Sequence, residues 1–299
     1  MPPTPVLWLD GRLVAVDDAH LSPLDHGVTV GDGVFETLKV LRGEPFALGR
    51  HLRRLRRSAA GLGLEVPLPD DAVRAAVAEV LAANGLGASP LGGGAAPPGG
   101  GDDGLEPPIG RLRITVTGGI GPPGSDRGDA PPTVLITAAP AAPAPAVVDV
   151  VTVPWRRNEH SAVAGLKTTS YAENVVALAR ARAQGADEAI FANTAGDLCE
   201  GTGSNVFVVH DGLILTPPLS SGCLAGITRE LLVEVVPVEE RPLPLDALGQ
   251  ADEAFLTSST RDVVPIAHVD GRRLPAAPGP ITAAAARAFA DLVGRDLDP

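Results

Sequence analysis

The chain has 299 residues, in which 36 Asp and Glu outnumber 24 Lys and Arg and give a formal net charge of −12. This acidic balance argues against nucleic acid or an anionic membrane surface as a partner, because both attract basic proteins. No stretch approaches the ~18 consecutive apolar residues of a membrane span. Cys199 and Cys223 form neither a CxxC motif nor a ligand-rich cluster, so neither a disulfide framework nor a metal site is predicted. We therefore expect a cytoplasmic protein that is long enough for two domains.

The first half of the chain predicts an N-terminal domain, residues 1–137, with two helices on a mostly antiparallel sheet. Turn signals between apolar runs predict hairpins, and apolar residues at helical spacing predict helices. The predicted elements are a hairpin turning at Asp10-Gly11, a hairpin turning at residues 42–44 with a strand at 46–48, helices at 51–62 and 70–83, and strands at 111–117 and 133–137.

Two segments rich in Gly, Ala and Pro interrupt this pattern. Residues 85–108 cannot bury enough apolar surface to fold, so we predict a disordered surface insertion there. Residues 138–146 read AAPAAPAPA and predict a stiff, extended interdomain linker. A C-terminal domain is then expected over residues 147–299.

Lysine is almost absent from the chain, since Lys39 and Lys167 are the only two. An amine can lose its proton and attack a carbonyl group, whereas the guanidinium of Arg stays protonated. Lys167 follows a small, apolar run at residues 162–166, and three hydroxyl residues come directly after it. Such surroundings suit a desolvated amine of lowered pKa, and hence Schiff-base chemistry. The ordinary alternative for a single lysine is a solvated surface position.

The segment after Lys167 predicts a helix at residues 172–183 that buries Val175, Val176, Leu178 and Ala179. Strands are expected on both sides of the glycine-rich corner that follows Glu200. A carboxylate in such a corner needs a cationic partner, such as a protonated pyridine nitrogen, unless it faces water at the strand end. The remaining predicted elements are strands at 147–153, 188–192, 206–210, 213–215, 253–257 and 263–269, and a helix at 280–291.

A second glycine-rich turn, from Gly222 to Gly226, leads into a further helix with Thr228 as the predicted N-cap. The N-terminus of a helix exposes unpaired N–H groups and a partial positive charge, so it is suited to bind phosphate. A plain capped helix is an equally good interpretation of these residues alone.

Three motifs, GLKTTSYAENV, LCEGTGSNVF and SGCLAGITREL, resemble the fold-type IV family of pyridoxal-phosphate (PLP) enzymes. Segments at residues 31–37, 51–55 and 257–265 extend the resemblance over nearly the whole chain. The family holds branched-chain aminotransferases, D-amino-acid aminotransferases and 4-amino-4-deoxychorismate lyases. The resemblance implies an α/β (α+β) two-domain fold of the D-amino-acid aminotransferase type, pyridoxal 5′-phosphate as cofactor, a small amino substrate and a homodimer.

The resemblance also implies roles for individual residues. Lys167 would hold the cofactor covalently and move the α-proton, and Glu200 would keep the pyridine nitrogen protonated. The bidentate fork of Arg54 would hold the cofactor phosphate. The other implied positions are Ile227, Thr228 and Ser259 for the phosphate, Phe35 and Thr260 for the substrate pocket, and Arg261 and Arg127 for the two carboxylates of aminodeoxychorismate. For these last two arginines, an ordinary surface position is at least as good an interpretation.

Two departures from the family pattern bear on the reaction. Branched-chain members usually carry Tyr five residues after the lysine, where this chain has Ala172, with Tyr171 one residue earlier. D-amino-acid members use an Arg and His cluster after the middle strand, where residues 118–128 offer only Arg127. We therefore predict the lyase, which releases pyruvate and the folate precursor 4-aminobenzoate. The alternative is a D-amino-acid or branched-chain-type aminotransferase, and a non-catalytic PLP-binding protein is a remote third.

Overall fold

The computed structural model describes residues 4–87 and 108–299, and the chain divides into two compact units. The first unit is Met1–Pro143 with Leu297–Pro299, and the second is Ala144–Asp296. Within the described ranges, no helix combines the length and the apolar character needed to cross a bilayer.

The first unit is built on a six-stranded sheet. Its elements are β1 Val6–Leu9, β2 Arg12–Ala15, α1 His26–Thr29, β3 Gly33–Leu41, β4 Glu44–Pro45, α2 Leu48–Gly61, α3 Asp70–Ala83, β5 Gly110–Thr117 and β6 Thr133–Pro140. The strand order is β2-β1-β6-β5-β3-β4, and every neighbouring pair is antiparallel, as predicted.

The two faces of this sheet differ because side chains alternate along each strand. On β3, Val34, Leu38 and Val40 are fully buried in one apolar cluster with residues of α2 and α3. The intervening positions include Phe35 and Lys39, whose cross-strand partners on β5 are Thr115 and Arg111. One face of the sheet therefore forms the core of the unit, and the other carries Phe35 together with polar and basic side chains.

Three predictions for this part of the chain differ from the structure. The strand predicted at residues 46–48 does not form, because Ala47 adopts a left-handed conformation (φ 55°) and α2 begins at Leu48. The predicted linker at 138–146 begins inside β6, where Ala138 to Pro140 pair with residues 110–112 of β5. The C-terminal boundary differs too, since residues 297–299 belong to the first unit rather than to a domain that runs from 147 to 299.

The predicted insertion at 85–108 lies largely outside the described residues, but its first residues are folded. Leu86 is fully buried, and its N–H donates to the carbonyl oxygen of Leu81. Gly85 lets the chain turn back towards the end of α3, because it adopts φ 68°, a conformation that glycine enters without strain. The prediction of disorder is therefore wrong for residues 85–87.

The second unit is dominated by a nine-stranded sheet. Its elements are β7 Val148–Arg157, α4 Ala172–Ala183, β8 Glu188–Asn193, β9 Leu198–Gly201, β10 Asn205–His210, β11 Leu213–Thr216, α5 Ile227–Val235, β12 Val238–Glu240, β13 Glu253–Ser258, β14 Asp262–Val269, β15 Arg272–Arg273 and α6 Pro280–Arg295. Six strands follow the order β10-β13-β14-β7-β8-β9, and β9 pairs again with β10. This last pairing, between Glu200 and Asn205, closes the six strands into a barrel.

Helix α4 has the predicted bounds but buries a different face. Val175 and Val176 are 63% and 53% exposed, whereas Asn174, Ala177 and Ala181 are buried. The two alanines pack in a cluster with residues of β7 and β8, because small side chains let a helix approach a sheet closely. The predicted burial of Val175, Val176 and Ala179 is therefore wrong.

Candidate active site

Glu200 lies at the seam of the barrel, where β9 pairs with both β8 and β10. Its side chain is 14% exposed, accepts a hydrogen bond from the Leu224 N–H at 2.9 Å, and lies 3.1 Å from Arg157 Nε. Burial raises the pKa of Glu200, and the opposing effects of Arg157, the Leu224 N–H and Lys167 do not cancel it. Because these interactions do not fully offset the cost of burying its charge, the Glu200 carboxylate would be stabilised by one more cationic partner. A protonated pyridine nitrogen fits that requirement.

Lys167 lies in the irregular segment between β7 and α4 and is partly buried. Its charge acts on Glu200 and lowers the pKa of that carboxyl group, so the fold brings the two residues into one site. The segment is shaped by a turn in which the Leu166 N–H donates to the Val163 carbonyl oxygen and Gly165 adopts φ 73°. Lys167 and Glu200, which lie far apart in sequence, are thus electrostatic neighbours.

Arg157, at the end of β7, is part of this site and was missed from the sequence. Its Nη1 donates to Glu173 Oε2 at 2.5 Å and its Nη2 to Asn174 Oδ1 at 2.8 Å. The guanidinium carbon lies 4.1 Å from the ring centroid of Phe191, a cation–π contact. Its Nε is close to Glu200 but is poorly aligned, and within the described residues it makes no hydrogen bond. Arg157 therefore attracts Glu200 electrostatically without saturating its oxygens.

The N-terminus of α5 is the candidate phosphate site. The predicted N-cap at Thr228 is wrong, because the cap residue is Gly226 and α5 begins at Ile227. A Cβ atom at Gly226 would lie 2.0 Å from Asn205 Oδ1, so the position requires glycine. Among residues 4–87 and 108–299, no side chain caps this helix end. Ile227 and Thr228 are both buried. An uncapped helix N-terminus suits a phosphate, and the roles of Ile227 and Thr228 remain predictions.

The turn between β13 and β14 carries the other predicted contacts of the second unit. Ser259 and Thr260 are partly buried there. Arg261 donates from Nη2 to Glu188 Oε2 at 2.7 Å and from Nε to Ser258 Oγ at 3.3 Å. The arginine expected to bind a substrate carboxylate is therefore held by a carboxylate of the protein.

Arg54, predicted to bind the cofactor phosphate, belongs to the first unit and forms a buried ion pair. Its Nε and Nη2 donate to Glu36 Oε1 and Oε2 at 2.8 and 2.6 Å, and His51 Nδ1 lies 2.6 Å from Glu36 Oε2. All three side chains are buried. The edge of the guanidinium formed by Nε and Nη2 thus holds Glu36, and the phosphate contact of Arg54 stays a prediction. A phosphate contact by Arg54 would use the other edge, through Nη1.

Glu36 is expected to make the first unit sensitive to acid. Burial alone would raise the pKa of Glu36, but the charges and hydrogen bonds of Arg54 and His51 lower it to about 2. Because the folded pKa lies below the unfolded value of 4.5, the stabilisation is present above that value and is lost as the pH falls towards 2. The difference corresponds to about 3 kcal/mol. At pH 7, Glu36→Gln should lower the free energy of unfolding by about 3–5 kcal/mol, because Arg54 loses its partner.

Denaturant unfolding between pH 3 and pH 7 checks this prediction. The wild-type protein should lose stability towards pH 3 more steeply than Glu36→Gln. Glu65→Gln is the control, because Glu65 is exposed in the same unit, and its effect should stay within about 0.5 kcal/mol. Parallel pH profiles for the wild type and Glu36→Gln would contradict the assignment.

Phe35 and Arg127, two further predicted substrate residues, also belong to the first unit. Phe35 is 5% exposed, and the guanidinium carbon of Arg113 lies 3.8 Å from its ring centroid. Arg127 donates to Asp32 at 2.5 and 2.7 Å and to the Gly63 carbonyl oxygen at 3.2 Å. The hydrogen bonds and charge of Arg127 lower the pKa of Asp32 against the effect of burial. Arg127 would have to leave these partners to bind a substrate, and its role there stays a prediction.

Comparison with known proteins identifies the family of this chain. The family profile described as amino-transferase class IV matches residues 33–269. A putative branched-chain-amino-acid aminotransferase of Methanocaldococcus jannaschii is 33% identical over 275 residues, which are 89% of this chain and 88% of that protein. A D-alanine aminotransferase of Listeria innocua is 29% identical over 92% of this chain and 91% of that protein. An aminodeoxychorismate lyase of Bacillus subtilis is 29% identical over 89% and 87%, respectively.

Solved structures agree with this result. The branched-chain aminotransferase of Thermoproteus uzoniensis with norvaline is similar with a TM-score of 0.82, 32% identity, and coverage of 97% of this chain and 95% of that one. The branched-chain amino acid aminotransferase from T.th., solved with pyridoxamine 5′-phosphate, is similar with a TM-score of 0.83, 25% identity, and coverage of 99% and 96%. These likenesses confirm the predicted fold-type IV architecture. The chain therefore belongs to the class IV aminotransferase family.

Proposed function

We propose that this protein is a PLP-dependent lyase that converts 4-amino-4-deoxychorismate to pyruvate and 4-aminobenzoate. Pyridoxal 5′-phosphate is the cofactor of the family, and when bound it supplies an electron sink for the electron pair released at the substrate Cα. Within the second unit, the Lys167 amine holds the cofactor and moves the α-proton. The Glu200 carboxylate pairs with the pyridine nitrogen, and the N-terminus of α5 binds the phosphate.

The single observation that carries the choice of the lyase lies at the start of α4. Ala172 is exposed and occupies the position where a branched-chain enzyme is expected to have Tyr. The aromatic ring comes instead from Tyr171, which is partly buried near Glu200 and Asn174, so that burial and then Glu200 raise its pKa. The contact expected of a branched-chain pocket is therefore absent at residue 172.

An aminotransferase is the second candidate, and a specific observation favours it. Arg127 and Arg261, the two candidates for the carboxylates of aminodeoxychorismate, are ion-paired with Asp32 and Glu188. Each pair already neutralises the charge that a dicarboxylate substrate would need. Relatives named aminotransferases, including the one 33% identical to this chain, also support this second candidate.

Product analysis separates the two candidates. Purified, PLP-loaded protein is incubated with aminodeoxychorismate while 4-aminobenzoate fluorescence and pyruvate are followed together, with Lys167→Ala as the blank. Both products in equal amounts are the expected result. Keto acid formed from L-leucine or D-alanine, without 4-aminobenzoate, would instead establish the aminotransferase. Bound cofactor with no amine reaction at all would leave the non-catalytic alternative.

We also propose that the protein acts as a cytoplasmic homodimer. The family resemblance implies a homodimer, and Val175 and Val176, both exposed on α4, are candidates for a surface that a second copy would cover. Light scattering on the purified protein should give twice the mass of one chain. A monomer at micromolar concentration would contradict this proposal.

A further inference from the structure

The buried carboxylate of Glu188 connects two turns of the second unit. Glu188 is the first residue of β8, and its side chain is 4% exposed. Its Oε1 accepts hydrogen bonds from the backbone N–H of Thr202, at 2.9 Å, and from the Thr202 hydroxyl. Its Oε2 accepts from Arg261 Nη2 at 2.7 Å and from the Ser204 hydroxyl at 3.4 Å. One carboxylate thus joins the β9–β10 turn, which follows Glu200, to the turn between β13 and β14.

The β9–β10 turn is built around this carboxylate. A Cβ atom at Gly201 would lie 2.4 Å from Ser204 Oγ and 3.3 Å from Glu188 Cδ, so glycine leaves the room that the side chains need. On the other side of the turn, Asn174 Nδ2 donates to the Thr202 carbonyl oxygen at 2.5 Å. Since Asn174 also accepts from Arg157, the turn connects by hydrogen bonds to the residue beside Glu200.

The two partners of this ion pair depend on each other unequally. Without Arg261, Glu188 would keep its three hydrogen bonds from Thr202 and Ser204. Without Glu188, Arg261 would lose one of the two hydrogen bonds described above and keep the other, to Ser258 Oγ at 3.3 Å. The Arg261 side chain is also 23% exposed. The position of Arg261 therefore depends on Glu188 much more than the reverse.

We propose that Glu188 is a positioning residue, which orients Arg261 and thereby sets the affinity of the site for the anionic part of the substrate. The proposal rests on the function proposed above, in which Arg261 faces a substrate carboxylate. In this role Glu188 acts through Arg261. Its carboxylate fixes the direction of the guanidinium, so a substrate carboxylate meets an oriented donor. This orientation favours binding even though the ion pair lowers the net charge of Arg261.

Glu188→Gln tests this proposal selectively. The amide oxygen of Gln can keep both hydrogen bonds from Thr202, while its NH₂ group replaces the oxygen that accepts from Arg261. Glu253→Gln is the matched control, because Glu253 is also 4% exposed and its carboxylate accepts two backbone N–H groups, those of Ile281 and Thr282, at the start of α6. Both variants replace a buried, strand-borne carboxylate in the same unit.

The first measurement is calorimetric binding of glutarate, a dicarboxylate, and of butyrate, a monocarboxylate, to the PLP-loaded protein. We expect Glu188→Gln to weaken glutarate binding by ~10-fold or more, the range of a lost hydrogen bond between charged groups, and to change butyrate binding by less than about 3-fold. The dissociation constant of PLP should change little in either variant. Equal weakening of both acids, or glutarate binding as tight as in the wild type or tighter, would overturn the proposal.

Kinetics of the accepted amino substrate provide the second measurement. Glu188→Gln should raise KM by ~10-fold with a much smaller change in kcat, whereas Glu253→Gln should alter neither. In the Arg261→Gln background, Glu188→Gln should add little, because both changes remove the same pair. Fully additive effects would overturn the proposal. An inactive wild-type protein would contradict the proposed function instead, and the glutarate comparison would still decide the role of Glu188.

Discussion

Replacing Lys167 by Ala is expected to abolish turnover and the covalent attachment of the cofactor together. The amine is the group that holds the cofactor and moves the α-proton, so both functions are lost with one side chain. A positioned acid–base group contributes ~10²–10⁴-fold to rate, and we expect kcat to fall by at least that factor. Steady-state kinetics and the visible absorbance of the PLP-loaded protein measure the two effects separately.

The other lysine offers a matched control for this experiment. Lys39→Arg changes the only remaining lysine, which lies on β3 of the first unit, and this variant should keep the covalently bound cofactor. Retained turnover in Lys167→Ala, or loss of the attached cofactor in Lys39→Arg alone, would contradict the assignment of Lys167.

Glu200→Gln is expected to have the second largest effect on activity. A neutral amide cannot balance the charge of a protonated pyridine nitrogen, so the electron sink is weakened when the α-proton leaves. Loss of one such electrostatic contact costs ~10²–10³-fold in kcat. The cofactor should remain attached through Lys167, and its absorbance should shift. Unchanged kcat would show that Glu200 does not contact the ring nitrogen.

The same substitution should stabilise the ligand-free protein. Burial raises the pKa of Glu200 in the folded state, so its contribution to stability is present below the unfolded pKa and is lost as the pH rises through the folded pKa. Gln cannot ionise and avoids this loss. Ligand-free Glu200→Gln should therefore unfold at a higher temperature than the wild type at pH 8, with a smaller difference at pH 4. A less stable variant at pH 8 would mean that Arg157 makes the carboxylate a net stabilising group.

Most helices and strands, and the candidate site residues Lys167 and Glu200, could be predicted from the sequence because their signals are local. Apolar spacing over one segment gave the observed bounds of α3 and α4. The scarcity of lysine singled out Lys167, and a carboxylate beside a glycine-rich corner singled out Glu200. The fold brings these two residues together, as expected for one site.

The residues that the sequence did not reveal depend on partners far along the chain. Glu188 meets Arg261 across 73 residues, and neither side chain has a local pattern that predicts the pair. Arg157 has no local signal either, because Trp155 and Arg156 before it are exposed and β7 shifts register against β8 between Thr152 and Arg156. The buried face of α4 was misjudged because the hydrogen bond from Asn174 to Thr202, which makes its burial possible, is not local.

The central claim is that Lys167 carries the cofactor, and borohydride reduction of the PLP-loaded protein tests it most directly. Reduction fixes any covalent link between the cofactor and a lysine, and peptide mass spectrometry then locates it. Because the chain has two lysines, the outcome is unambiguous. We predict the added mass on the peptide containing Lys167 and none on the peptide containing Lys39. An unmodified Lys167 in protein that holds the cofactor would contradict the account.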